Sequence, residues 1–252
     1  MIESVLGIEL TYSLLLALTG ILLAAFVKGV LSFGIGLVAI PILIQIFPPH
    51  LAITAFIVPI WLSNMILIME VGIPFEILRQ QRWLGVSLIA GTLVGVLIFT
   101  ISDVDVLYVI VSLYVLAYLL YINSGKDVDR YATTRGASIF TGGVSGFLTS
   151  VNMPGPPMIT YMHAQKVEKR VFTGVLVTWF GLLHTIRFGA LRAANQLGLE
   201  EVVLGAIFCV PVAIGIPLGS RVRPYIPQRT FEKLVEVFLA LIALRMLSNA
   251  IL

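Results

Sequence analysis

Residues 150–162 read SVNMPGPPMITYM. The chain on either side is as apolar as lipid, yet an Asn, a Gly and three Pro fall here within six residues. Pro154, Pro156 and Pro157 lack backbone donors and break a helix interior; Gly155 loosens the backbone further. At membrane depth such a break persists only where protein or water covers the freed backbone. The new helix can restart with Pro156 or Pro157 in its first turn, where a missing N–H costs little. Asn152 then stands as a helix cap or a direct ligand contact. The start of the new half-helix presents free N–H groups and about half a positive charge, which suits an anion.

The rest of the chain fits a membrane setting. Of its 252 residues, 59% are hydrophobic and 12% charged, and mean hydropathy is +1.04. A soluble domain carries about twice that charged share. Several apolar runs approach the roughly 20 residues a membrane helix needs. No polar/apolar alternation marks a barrel, so the expected class is an all-α polytopic membrane protein. The net charge of +3 sits in short loops between apolar runs. It therefore reads as topology rather than nucleic-acid binding. Cys209 is the sole cysteine, which excludes an internal disulfide and suggests no metal cluster. The start, MIESVLGIEL, lacks a basic region, so no cleaved signal peptide is expected. No nucleotide-binding loop is present, no cofactor is implied, and nothing fixes the oligomeric state.

The spacing predicts five apolar segments at about 10–27, 30–47, 51–69, 84–101 and 104–122. Five more follow at about 136–150, 154–165, 171–188, 202–219 and 230–250. Eight to ten of these enter the membrane. The expected organisation is a first repeat over 1–123, a cytoplasmic connector over 124–135 and a second repeat over 136–252. Gly85, Gly91 and Gly95 are matched 120 residues later by Gly205, Pro211 and Gly215. HLAIT ending at Thr54 is matched by KRVFT ending at Thr173, and GVLS from Gly29 by GFLT from Gly146. These ordered matches indicate an internal duplication. The glycines of the fourth and ninth segments read as close helix packing.

Lys and Arg orient the chain. Arg79 and Arg82, then Lys126, Arg130 and Arg135, then Lys166, Lys169 and Arg170, then Arg221, Arg223 and Arg229 fall in four loops. With those four inside, both termini lie outside and the halves are inverted relative to each other, as in many secondary transporters. The multi-pass chain is then expected in the cell's inner membrane. The first two segments of each half form hairpins, either spanning or re-entrant. Lys28 lies at the tip of the first, cytoplasmic in one case and mid-membrane in the other.

The first half offers GVLSFGIGLVAIP as the counterpart of the opening stretch, with Ser32, Gly34 and Gly36 ahead of Pro41. Two breaks facing each other across a pseudo-twofold axis make a midplane site, with Asn152, Gly155 and Pro156 on the second side. Thr54, Thr173, Ser63 and Asn64 are hydrogen-bonding candidates for a substrate or for a neighbouring helix. His184 and Arg187, three apart on one face, add a titratable group suited to proton coupling and a cation. Arg187 is expected near the outer end, either on the pathway or snorkelling to headgroups. Trp61 and Trp179 mark an interface or a cavity wall. Glu232 and Glu236 read as solvated or as helix-dipole partners. No Asp or Glu sits in the middle of an apolar segment, against a carboxylate relay.

With these residues in place, the chain resembles the sulfite exporter TauE/SafE family of membrane permeases. The likeness covers nearly the whole chain: its length, its duplicated halves, the small-residue run reaching a Pro near the start of each half, and GPPMITY in the second. Many family members carry adjacent glycines in both copies; this chain has the spaced pair Gly34 and Gly36 and then NMPGPP. The resemblance implies a non-enzymatic transporter of small sulfur-containing oxyanions such as sulfite or organosulfonates, with the lipid bilayer as its other partner. Two alternatives remain. GVSG at residues 143–146 matches the pattern of rhomboid-type intramembrane serine proteases, with Ser145 as nucleophile and His184 as base. A passive anion channel shares the same site and lacks alternating access.

Overall fold

The computed structural model describes residues 2–101, 134–165, 167–227, 229–231, 233, 234 and 237. The predicted segment at 104–122, most of that at 230–250, the residues Asp103, Asp105, Lys126, Arg130, Lys166, Glu232 and Glu236, and the side chain of His163 lie outside the described residues. Every regular element among the described residues is helical.

The first helix, α1 (Ile2–Leu31), runs 30 residues without a Pro and ends where Ser32 and Gly34 take left-handed backbone angles, φ 76° and 92°. Half-helix α2 (Ile35–Leu43) turns back from there. The first hairpin therefore pairs a full-length helix with a half-helix, because no breaker interrupts the apolar run before residue 32. Pro41 lies inside α2 rather than at the break. The third segment divides at Phe56 into α3 (Pro49–Ala55) and α4 (Ile57–Val71). Short α5 (Phe75–Gln80) leads into α6 (Arg82–Ile101). In the second half α7 (Arg135–Leu148) starts on the hydroxyl of Thr134, which accepts from the Ala137 N–H at 3.1 Å. It closes in a 3-10 turn, Thr149–Val151. Half-helix α8 (Gly155–Ala164) follows, then α9 (Lys169–Ala193) and α10 (Leu199–Val222).

Five stretches among the described residues, 20 to 27 residues long, are apolar enough to cross a bilayer. At 1.5 Å per residue the shortest reaches about 30 Å, the hydrocarbon thickness. Leu93 and Leu97 of α6 and Val210 and Ile214 of α10 are exposed, as lipid-facing residues must be. Burial inside lipid gives no hydrophobic drive, so close packing must hold the helices together. Glycines four apart supply it. Gly142 and Gly146 of α7 meet the α6 backbone at Leu84 and Leu88, and Gly91 and Gly95 of α6 meet α7 at Gly143 and Phe147. Gly215 and Gly219 of α10 do the same against Leu22 and Phe26 of α1. The glycines of the fourth and ninth segments are packing residues, as their spacing predicted.

Beyond α6 on α7 and α1 on α10, the long helices pack as α4 on α9, α4 on α10 and α6 on α9, while α2 lies on α1 and α8 on α7. This brings the two breaks together at the centre of the bundle: a Cβ at Gly36 of α2 would strike the carbonyl oxygen of Asn152.

Candidate functional site

Each break is held by a residue in a conformation that side chains avoid. Ser32 (φ 76°) and Asn152 (φ 63°) are both left-handed and both buried. Such a backbone costs about 1–3 kcal/mol and persists only when its surroundings fix it. The Thr173 hydroxyl donates to Lys169 O at 2.9 Å, so in its 2.7 Å contact with Ser32 it accepts. Asn152 Nδ2 donates to Ile53 O at 2.8 Å, while its Oδ1 accepts from Arg187 Nη1. Arg187 Nη2 reaches the same Ile53 carbonyl at 3.4 Å. Asn152 thus ties three elements together rather than capping α8.

Lys28 is buried, and its Nζ donates to Asn64 Oδ1 at 2.6 Å. Asn64 is itself oriented: its Nδ2 donates to Ile60 O at 3.0 Å, which aims its oxygen at the lysine. His184 Nδ1 bonds Phe180 O at 2.6 Å, and its buried Nε2 has no partner. The same holds for Arg187 Nε and Ser145 Oγ.

Between the breaks lies a small, partly open cavity of about 20 Å³. Lys28 and His184 are its charged and titratable walls; Phe33, Ile60 and Phe180 are apolar ones. Gly34 to Leu37 bring the first turn of α2 to it, and Asn152 to Gly155 bring the start of α8. Two helix N-termini therefore converge with a lysine on one space. In α8 the two prolines remove N–H groups, so α2 supplies more of the donors. The buried polar residues among those described include Lys28, Arg187 and Arg223 but no Asp or Glu. Arg223 has Glu70 Oε1 at 3.7 Å; among the described residues, Lys28 and Arg187 have only neutral acceptors. Burying a charge without a counter-charge costs several kcal/mol, and a bound anion removes that cost.

The sequence expectations divide accordingly. Gly34, Gly36, Asn152, Gly155 and His184 line the cavity. Asn64, Arg187, Ser32 and Thr173 stand behind it and position what does. Thr54 is spent on His50 O of its own helix at 2.7 Å, and Ser63 on Ile60 O at 2.6 Å. Pro41 and Pro156 do not line the space; their carbonyls accept from Gln45 and Thr160. Arg187 is fully buried rather than snorkelling. Trp61 donates to Thr185 at 2.9 Å and Trp179 to Gln81 at 3.2 Å; neither walls the cavity. Lys28, which the sequence left between two placements, is a wall residue, and its signal was a charge inside the apolar run LLAAFVKGVL. The protease pair is not assembled, since Ser145 Oγ and His184 Nε2 are each without a partner.

A model of the family described as Sulfite exporter TauE/SafE matches residues 16–246. No curated protein and no solved structure matches the chain.

Proposed function

The chain belongs to the sulfite exporter TauE/SafE family, and from that premise we propose that it carries a small sulfur-containing oxyanion, sulfite or a short organosulfonate, through the cavity between its two broken hairpins. One observation carries the proposal: the first turns of α2 and α8 and the Lys28 ammonium face one buried space that no described carboxylate shares. Each helix start adds about half a positive charge. An oxyanion takes hydrogen bonds from those N–H groups and from Lys28, and Asn64 and Asn152 hold the cations in place.

The mechanism is alternating access by two inverted halves in the inner membrane, with both termini outside. The helix pairs support it. Exchanging α1, α2, α4 and α6 for α7, α8, α9 and α10 turns α1 on α10 into α7 on α6, α1 on α2 into α7 on α8, and α4 on α10 into α9 on α6. The α4 on α9 pair maps onto itself. A pseudo-twofold axis has this effect.

Purified protein in liposomes preloaded with unlabelled sulfite tests the reading. Saturable uptake of labelled sulfite that is accelerated by the internal load is expected, because a carrier returns faster when loaded. Lys28→Gln and Asn152→Ala, each checked for folding by gel filtration, should lose most of it, and Ser145→Ala should keep it. Uptake that ignores the internal load would indicate a channel. No uptake of sulfite or of methanesulfonate by folded protein would contradict the proposal.

A further inference from the structure

His184 does not suit an anion site as it stands. A carbonyl oxygen only accepts, so the 2.6 Å contact with Phe180 O places a proton on Nδ1. In the neutral ring Nε2 is then a bare lone pair. That atom is buried, has no partner, and belongs to a residue in the cavity wall. Around it the wall is rich in donors: the Lys28 ammonium and the first turns of α2 and α8. An anion oxygen that takes those donors is brought against the lone pair of the ring and repelled by it.

One proton removes the conflict. On the ring it makes Nε2 a donor; on the anion it makes an O–H that Nε2 accepts. Resting on the anion site proposed above, we propose that His184 Nε2 is the proton-binding atom of that site, and that each anion enters the cavity together with one proton from the same solution. No heavy-atom bond changes: an O–H bond of hydronium or buffer acid breaks, an N–H bond on Nε2 or an O–H bond on the anion forms, and the proton returns to water when the anion departs. The bound unit then carries one negative charge fewer than the anion alone.

The surroundings explain why the proton comes with the anion. The elements packed on α9 are α4, α6, α8 and the turn Thr149–Val151. The charged groups whose fields reach the ring are Arg187, one turn further along α9, and Lys28 from α1. Among the other described titratable groups of those elements, Glu70 is engaged with Arg223, Arg82 is exposed, and Tyr161 bonds Ser138 at 2.8 Å. An imidazolium in the empty cavity would be a further uncompensated cation beside Lys28 and Arg187. With an anion present it completes the neutralisation.

Methanesulfonate is the diagnostic probe, because it does not protonate near neutral pH and any proton taken up must land on the protein. Its binding to the purified protein is followed by calorimetry at pH 7 in buffers of different ionisation enthalpy, with sulfite as a second anion. The expected result is about one proton taken up per methanesulfonate bound, with affinity falling about tenfold per unit rise in pH across that range. In His184→Gln, whose amide keeps a fixed donor and cannot titrate, whatever binding remains should be pH-independent and free of proton uptake. Binding to the wild type without proton uptake would overturn the inference and leave the anion site standing. Proton uptake that survives in His184→Gln would also overturn it, assigning the proton to Lys28. If neither anion binds the folded wild type, the anion site fails, and this inference with it.

Discussion

The electrostatics of the cavity come down to one lysine. Lys28 touches the space directly and has a single neutral acceptor, Asn64 Oδ1. A charge-assisted hydrogen bond contributes about 1.5–3 kcal/mol, so Lys28→Gln should weaken anion binding by about tenfold to a hundredfold, measurable by calorimetry. Ser32→Ala removes only a bond behind the cavity, donated to Thr173. Its cost is about 1 kcal/mol of stability with anion affinity nearly unchanged, and a denaturation curve beside a titration separates the two effects. At this scale the sequence was half legible. Asn152, Gly155 and His184 stood out because polar or helix-breaking residues are rare in an apolar run. Phe33, Ile60 and Phe180 could not stand out, since nothing separates an apolar wall of a cavity from an apolar core. Thr54 looked like a ligand by its match to Thr173, yet its hydroxyl closes onto its own helix, an option open to any Thr in a helix.

Glycine spacing governs how the elements join. Gly146 faces the α6 backbone at Leu88, whereas a Cβ at Gly143 on the same helix meets nothing. Gly146→Ala should therefore destabilise the protein by about 1–3 kcal/mol through overpacking. Gly143→Ala should be neutral or gain up to about 1 kcal/mol of helix propensity. Thermal unfolding of the two variants side by side checks the contrast. The break before α8 was readable because three prolines forbid a continuous helix. The break after α1 was weaker, since Gly34 permits a turn without demanding one and Ser32 in a left-handed conformation leaves no trace in sequence. The division at Phe56 had one signal, Pro59, which lacks the N–H that the Ala55 carbonyl four residues back would accept.

On the scale of the whole molecule, the packed helix pairs are those that a pseudo-twofold exchange of the halves would give, which supports the proposed duplication. Glycines at matching positions, Gly95 of α6 and Gly215 of α10, each pack against a neighbouring backbone. Orientation rests on loop charges and makes a separate prediction. In a Cys209→Ser background, Glu168→Cys should react with an impermeant maleimide only from the cytoplasmic side, and Gln196→Cys only from the outside. The reverse pattern would invert the topology without moving the cavity. If a small oxyanion sits between the two helix starts beside Lys28, anomalous diffraction from crystals grown in selenite, the selenium analogue of sulfite, locates it. The expected result is a selenium peak in the cavity, within hydrogen-bonding reach of Lys28 Nζ and of the first turn of α2, that disappears in Lys28→Gln. A peak elsewhere in the bundle, or one at this position indifferent to Lys28, would contradict it.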